Sequence, residues 1–346
     1  MTSDRTLPGV PGTPLSARDW VRHLAKYRSP STSRSIFEIA ATALPFLALW
    51  AAAWAALSVS YWLAFALAAA NGLFVVRLFA IQHDCGHSAF FRNRHVGDWV
   101  GRVLGVVTLT PYDVWKRSHS IHHASSGNLD RRGMGDVYTM TVEEYRQASR
   151  LGRLRYRLYR HPLVLFGLGP SFIFFLSNRL PFGLMTSVKY WISAMGTNAA
   201  IGLALALIVW FGGWAALWLI FVPTSLVGAS IGVWLFFVQH QFENARWDHD
   251  ENWDLHEAAF SGSSHYVLPK ALQWLTANIG IHHVHHLYSR IPFYRLTEVL
   301  RDFPALVGAQ RLTVRESLAC VKLQLWDERS RRLLSYPQAR ALYGLP

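Results

Sequence analysis

The sequence reads YWLAFALAAANGLFVVRLFAIQHDCGH from Tyr61 to His87, where an apolar run leads directly into a pair of histidines. The apolar part, Tyr61 to Ile81, has the ~20 residues that a helix needs to cross a bilayer core of ~30 Å. If the helix continues past the bilayer, His83 and His87 lie four residues apart on one of its faces. The stretch therefore predicts a membrane helix with metal-binding imidazoles at its end.

The rest of the chain contains three more apolar runs of similar length. The four predicted spans are residues 39–57, 61–81, 193–211 and 214–238. A few residues separate the first two, and Gly212 and Gly213 separate the last two, so we expect two helical hairpins. The composition agrees with a membrane protein, because 51% of the 346 residues are hydrophobic and only 16% are charged.

Lysine and arginine are distributed unevenly around these spans. Six precede the first span, fifteen lie between Ile81 and Tyr190, twelve follow Gln239, and neither hairpin tip carries one. Because cytoplasmic loops hold the excess of basic residues, both termini and the middle segment are predicted to be cytoplasmic. The net charge of +13 is explained by this topology and by attraction to anionic headgroups, and no nucleic-acid partner is expected. Cys85 and Cys320 would face the reducing cytoplasm, so no disulfide is predicted.

Two further histidine clusters fall on the same predicted side of the membrane. They are His119-Ser-Ile-His122-His123 and His282-His283-Val-His285-His286. In each cluster, positions i, i+3 and i+4 share a helical face, which leaves His283 pointing elsewhere. A single histidine pair at this spacing is more often a surface or core feature. Three clusters on one side of the membrane instead indicate shared metal binding.

Eight imidazoles exceed what one ion can bind, so two metal ions are implied. Imidazole suits iron, zinc, copper and nickel, and the residues alone leave that choice open. His240, at the end of the fourth span, mirrors His83 and is a candidate ninth ligand. The predicted ligands are His83, His87, His119, His122, His123, His240, His282, His285 and His286. Carboxylates that could orient their rings are Asp84, Asp98, Asp136, Glu243 and Asp248.

The predicted fold is an all-α integral membrane protein, with four transmembrane helices in two hairpins and a helical cytoplasmic cap that holds a histidine-rich di-metal site. Residues 1–35 form a cytoplasmic arm, residues 36–300 the membrane domain and residues 301–346 a helical cytoplasmic tail. The histidine boxes are residues 83–87, 119–123 and 282–286. Within the arm, Trp20, Val21, Leu24 and Tyr27 follow helical spacing, so a short helix on the membrane surface or in solvent is expected.

Two shorter apolar stretches, Trp99 to Pro111 and Leu163 to Leu176, are expected to be interfacial or re-entrant. Counting the second as a further span would place the twelve C-terminal basic residues outside, against the charge rule. No secretory signal is expected at the start.

These motifs resemble the membrane-bound fatty acid desaturase family, whose signature is three histidine boxes on two membrane hairpins. The resemblance extends over about residues 36–300. Phe90-Phe91 after the first box, and Thr110-Pro111-Tyr112 with Trp115 before the second, are most similar to the acyl-lipid Δ12/ω-6 branch. The resemblance implies a non-haem di-iron centre on the cytoplasmic side, held by box histidines and by one histidine after the fourth span, which corresponds best to His240.

The resemblance also implies an activity and its partners. Family members use O2 and two electrons to form a cis double bond in a long acyl chain carried by a lipid or a thioester. An oxidising cofactor is needed, since an unactivated methylene has no acidic proton for a side chain to remove. The chain lacks the His-Pro-Gly-Gly motif of a fused cytochrome b5, so a separate ferredoxin or cytochrome b5-like donor is implied. An acidic donor would suit the basic stretch from Arg146 to Arg160, and so would membrane contact.

Other functions remain open at the level of sequence. A hydroxylase, conjugase, acetylenase or ketolase could use the same boxes. From other classes, a metal transporter predicts ionisable residues in mid-span, which spans one, three and four lack. A haem-binding electron carrier predicts paired histidines inside the spans, and none occur there.

Overall fold

The structure, a computed structural model, describes residues 16–345, so the first fifteen residues of the predicted arm lie outside it. The chain is mostly helical. The helices are α1 (Ala17–Leu24), α2 (Thr32–Ala56), α3 (Tyr61–Gly86), α4 (Arg94–Val107), α5 (Tyr112–Ser125), α6 (Val142–Gln147), α7 (Arg150–Tyr159), α8 (Gly169–Phe175), α9 (Val188–Ala216), α10 (Val222–His240), α11 (Leu255–Ser261), α12 (Lys270–Leu275), α13 (His282–Leu287), α14 (Leu296–Asp302), α15 (Val314–Cys320) and α16 (Tyr336–Tyr343).

Short helices of other types complete these elements. The 3-10 helices are Ala25–Tyr27, Ser177–Arg179, Phe293–Arg295 and Pro304–Leu306, and the π-helices are Val164–Leu168 and Leu217–Phe221. Each π-helix is followed by a helix with a proline in its first turn, Pro170 in α8 and Pro223 in α10. Proline clashes with the carbonyl four residues earlier, and the wider π turn relieves that clash.

Three helical segments within residues 16–345 are long and apolar enough to cross a membrane. They are Thr32–Ala56, Tyr61–Gly86 and the 53-residue segment Val188–His240. The last contains both predicted spans three and four. It is interrupted at Gly213, whose φ of 65° and ψ of −174° are not helical. Taken together, Arg150–Tyr159 and Val164–Arg179 are also long and apolar enough to cross a membrane, but the pair is bent by 58°.

Helix α3 is the centre of the membrane region. Its apolar 18-residue stretch is 56% buried inside the protein, whereas that of α2 is 22% buried. On one side, Asn71 Nδ2 donates to the carbonyl of Phe46 in α2 at 3.1 Å. On the other, Thr224 Oγ1 of α10 donates to the carbonyl of Ala68 at 2.9 Å. The central position of α3 places its histidine end among the other histidine-bearing segments.

Serine caps begin the long helices. Ser31 accepts a hydrogen bond from Arg34 N at the start of α2, and Ser60 accepts one from Leu63 N at the start of α3. Such caps satisfy backbone N–H groups that have no partner inside the helix. Residues 57–60 form a short turn between α2 and α3, as the sequence predicts for the first two spans.

The prediction of an all-α chain is wrong in one respect, since the described residues contain five short strands. They are β1 (Met140–Thr141), β2 (His265–Val267), β3 (Arg311–Thr313), β4 (Leu325–Asp327) and β5 (Arg332–Leu334). One sheet has the order β1-β4-β5, and β2 pairs with β3 in parallel. The tail after residue 300 is therefore mixed, and strands of two or three residues are too short to show an alternating pattern.

One face of the N-terminal helix is buried against the rest of the protein, while Arg18, Arg22 and Lys26 on its other face are exposed. Trp20, Leu24 and Tyr27 are buried in one apolar cluster with Ile281 and Val284, which flank and enter the third histidine box. Helix α1 thereby covers α13 from the side opposite its metal-facing histidines. Periodicity alone shows that α1 is amphipathic but not which surface it covers.

Candidate metal centre

The structure brings the predicted ligands together in two groups below the ends of α3 and α10. Within each group, one ligand atom per residue lies within 4.8 Å of every other. The first group is His83, His87, His119, His123 and His285, and the second is His122, His240 and His286. The ninth predicted residue, His282, adjoins the second group, because its Nε2 lies 3.1 Å from Nε2 of His240.

Four elements supply these side chains. Helix α3 carries His83 in its last turn, with His87 as its C-cap, as a helix extended beyond the bilayer predicts. Helix α5 carries the second box, and the six-residue helix α13 carries the third. His240 is the last residue of α10. Residues three and four apart share a helical face, so α5 and α13 each direct three imidazoles toward the same space.

Within each group, imidazole nitrogens face one another. Nε2 of His122 lies 3.2 Å from Nε2 of His240, and Nε2 of His285 lies 3.2 Å from Nε2 of His123. Two neutral rings can share only one proton across such a contact. The convergent lone pairs are therefore placed to bind cations.

Burial keeps these imidazoles neutral. It lowers the pKa of His119, His123, His285 and His286 well below the usual value, and the neighbouring histidines lower the pKa further. Neutral imidazole is the form that coordinates metal. His87 Nε2 and both ring nitrogens of His286 are buried without any hydrogen-bond partner, and a bound ion would supply a partner to His87 Nε2 and to one nitrogen of His286. The donor set therefore fits metal ions that imidazole binds well.

Three of the rings are oriented by a second hydrogen bond. Asp136 Oδ1 lies 2.6 Å from Nδ1 of His122, and Asp84 Oδ1 lies 3.2 Å from Nδ1 of His83. The backbone carbonyl of Gly262 lies 3.1 Å from Nδ1 of His240. Each contact leaves Nε2 facing the interior of the site, as is usual for histidine ligands.

Only two of the five predicted carboxylates therefore contact a box histidine. Asp98 instead accepts from Tyr112 and Lys116, Glu243 pairs with Arg332, and Asp248 pairs with Arg246 and Arg331. The prediction rested on closeness to the histidines along the chain, which did not distinguish among the five carboxylates. The Gly262 carbonyl was missed because a backbone acceptor has no sequence signature.

His283 lies outside both metal-candidate groups, as its position on the opposite helical face predicts. It is fully buried, and its Nε2 donates to the carbonyl of Leu306 at 3.0 Å. Burial lowers the pKa of His283 to about 3, so the ring is neutral. The hydrogen bond of His283 connects the third box to the tail, so its role is structural.

An apolar cavity of about 710 Å³ extends from the histidines into the membrane region. His83, His119 and His282 lie in its wall near the metal centre, and Val75, Gly228 and Phe174 lie farther along it. On α10, Gly228 is twelve residues from His240, or ~18 Å along the helix. Trp115 also lines the cavity and stacks on His119 with ring centroids 4.7 Å apart. The cavity has the shape and polarity to hold a long apolar chain against the histidines.

Long apolar helices, clustered histidines and an apolar cavity together indicate a membrane protein with a candidate metal site beside that cavity. The chain belongs to the fatty acid desaturase family, since the model of the family described as Fatty acid desaturase matches residues 60–317. It is accordingly an oxidoreductase of lipid metabolism.

Individual relatives agree with this assignment. A protein named fatty acid desaturase from Bacillus subtilis (strain 168) is 42% identical over 325 residues, which cover 94% of this chain and 91% of that protein. An sn-1 acyl-lipid omega-3 desaturase (ferredoxin) from Synechocystis is 27% identical, covering 67% of this chain and 64% of that protein. An sn-1 oleoyl-lipid 12-desaturase from Synechocystis is 26% identical, covering 84% and 81%.

Proposed function

We propose that the two histidine groups hold a non-haem di-iron centre, and that the protein uses O2 and two electrons to introduce a cis double bond into a long acyl chain. The observation that carries this proposal is that His83 and His119 of the first group, and His282 beside the second group, lie in the wall of the apolar cavity. Bound iron would supply the oxidising chemistry that removes hydrogen from an unactivated methylene. The first group would hold one ion, and the second group with His282 would hold the other.

The chain's own residues position the substrate and the ligands. The cavity walls hold the acyl chain so that one pair of methylenes lies beside the histidines, and a shift by one carbon would change the product. Asp136 and Asp84 keep the rings of His122 and His83 directed inward. The apolar lining keeps bulk water away from the reacting carbons.

Four transmembrane helices in two hairpins are the proposed topology, with the metal centre on the cytoplasmic side. The break at Gly213 supports division of Val188–His240 into two spans. At the far end from the histidines, Gly212 lies against the ring of Trp54 near the end of α2. This close approach supports a common end of the bundle for both predicted hairpin tips. The distribution of basic residues supports the orientation.

The proposed substrate is an acyl lipid, and the proposed double-bond position is Δ12/ω-6. The residues around the boxes and the similarity to an oleoyl-lipid 12-desaturase support this choice. The electron donor is proposed to be a separate ferredoxin or cytochrome b5-like protein, in line with the donor that the omega-3 relative's name gives. An acyl thioester is the competing candidate substrate. Assays with defined acyl lipids and defined acyl thioesters can distinguish the two.

The test is product analysis in a host that lacks polyunsaturated lipids, with the full chain co-expressed with a ferredoxin and its reductase. We expect mass spectrometry to show acyl chains that have lost two hydrogens. His285→Ala should abolish the product, because it removes a ligand from the first group. His95→Ala is the matched control, since His95 is exposed and outside both groups. A hydroxylated acyl chain without loss of two hydrogens would contradict desaturation.

A further inference from the structure

A second cavity, of about 580 Å³, lies where α7 ends and the apolar segment before α8 begins. Among the residues that the structure describes, none of those in its wall is an aspartate or a glutamate. The polar residues that line it are Arg157, Arg160, His161, Gln324, Tyr336 and Arg340. A concave surface with three guanidinium groups and no carboxylate concentrates positive potential.

Arg160 is the buried part of this wall, with 1% of its surface exposed. Its Nη1 donates to the carbonyl of Tyr138 and to Thr139 Oγ1, both at 3.2 Å. Its Nη2 donates to Gln241 Oε1 at 2.9 Å and to the carbonyl of Leu323 at 2.8 Å. All four acceptors are uncharged, and Arg160 forms no ion pair within residues 16–345. A buried charge without a counterion is strongly unfavourable, so this arrangement calls for an anion.

Three buried polar atoms of the wall also have no hydrogen-bond partner. They are Nε of Arg160, the hydroxyl of Tyr336 and Oε1 of Gln324. The first two are donors, whereas the NH2 of Gln324 already donates to the carbonyl of Val321 at 3.1 Å, so Gln324 is not counted as an unused donor. His161 Nδ1 accepts from Leu163 N at 3.3 Å, so the neutral ring carries its proton on Nε2. The cavity therefore offers several unused donors to an anion with multiple oxygens.

The surroundings of the cavity place it at the level of lipid headgroups. Leu151, Leu154 and Leu158 form an exposed apolar row on α7, among arginines. The chain beyond the cavity exposes Leu163 and Leu168. A basic helix with an exposed apolar row lies in the membrane interface, where phosphate is the abundant anion. A carboxylate on a partner protein would reach the buried Arg160 less readily than a lipid phosphate.

We propose that this cavity binds the phosphate group of a membrane phospholipid. Arg160 and Tyr336 contact the phosphate from the buried side, and Arg340 and His161 contact it from the rim. The site does not depend on the metal centre. It adjoins the acyl cavity, because Tyr159 and Val164 in the wall of that cavity flank the segment that carries Arg160 and His161.

The experiment measures ligand binding to delipidated full-length protein in a nonionic detergent by calorimetry. The probes are dihexanoyl-phosphatidylglycerol, dihexanoylglycerol, which lacks the phosphate, and inorganic phosphate. Arg340→Glu reverses one rim charge at an exposed position and leaves the bonds of Arg160 intact. Arg155→Glu is the matched control, since Arg155 is exposed on α7 but does not line the cavity.

We expect the wild-type protein to bind the phosphatidylglycerol probe and to bind dihexanoylglycerol much more weakly. Arg340→Glu should weaken the phosphatidylglycerol affinity by about tenfold or more, and Arg155→Glu by less than about threefold. Equal losses in the two variants, or equal binding of the phosphate-free lipid, would overturn the proposal. Binding of inorganic phosphate without binding of the phospholipid would also overturn it, because the site would then take a free ion.

Discussion

At the scale of single residues, the site depends on groups that hold the imidazoles as much as on the imidazoles themselves. Asp136 contacts His122 from a neighbouring loop, and the Gly262 carbonyl contacts His240. Each fixes which ring nitrogen faces the interior. Mutations at such positions should therefore affect the metal centre without changing a ligand.

Replacing Asp136 with asparagine tests this dependence. The amide keeps the shape but removes the charge that favours the Nδ1–H tautomer of His122, so we expect metal affinity or turnover to fall by about 10–100-fold. Iron per protein, measured by plasma emission spectrometry, and product formation check the prediction. Asp98→Asn is the control, because Asp98 contacts Tyr112 and Lys116. Equal iron content in wild type and Asp136→Asn, with equal turnover, would contradict it.

His283→Ala should lower the stability of the protein without removing a metal ligand. The ring is fully buried and hydrogen-bonded to the Leu306 carbonyl, so its removal leaves a cavity and an unpaired acceptor. We expect a loss of about 2–4 kcal/mol in unfolding free energy, while a protein that folds retains its iron. A thermal unfolding scan together with metal analysis makes the measurement. His285→Ala, which should lose iron, is the comparison, and iron loss in both variants alike would make His283 a ligand.

At the scale of elements, the central contact is the close packing of α3 against α10. A Cβ on Gly228 would lie 2.8 Å from Cβ of Val75, and one on Gly72 would lie 2.7 Å from Cβ of Val227. Small residues let membrane helices approach each other closely. This contact sets the relative position of His83 and His240 at the ends of the two helices.

Gly228→Leu should push α3 and α10 apart. Overpacking of this kind costs about 1–3 kcal/mol, and it should lower the unfolding temperature in detergent. Because Gly228 also lines the acyl cavity, activity should fall more than stability alone would explain. Gly202→Leu is the control, since a Cβ at Gly202 has no neighbour within 4 Å. Similar unfolding temperatures for the two variants would count against the packing argument.

At the scale of the whole molecule, the sequence predicted the helical membrane character from the length of the apolar runs. It predicted the meeting of the histidine boxes from their helical spacing together with their common predicted side of the membrane. It did not predict the strands of the tail, which are too short to show a period. It also placed α1 on the membrane surface or in solvent. The burial of Trp20 against the third box depends on residues more than 250 positions away. Such long-range packing leaves no local pattern.

The proposed topology can be tested with single cysteines, because both native cysteines are buried. Ser58→Cys and Phe211→Cys place thiols at the two predicted hairpin tips, and Arg315→Cys places one in the tail, all at exposed positions. In intact cells, an impermeant maleimide should label the first two and spare the third, which should react only after lysis. Labelling of Arg315→Cys from outside would reverse the orientation, and protection of Phe211→Cys would argue against the second hairpin.

The first metal-candidate group takes His83 and His87 from the first third of the chain and His285 from its last fifth. During synthesis the membrane helices therefore exist well before the cage that they support. The first group is thus complete only after His285 has been made, so a chain truncated before His285 should keep its membrane helices but lack the full donor set for a metal ion.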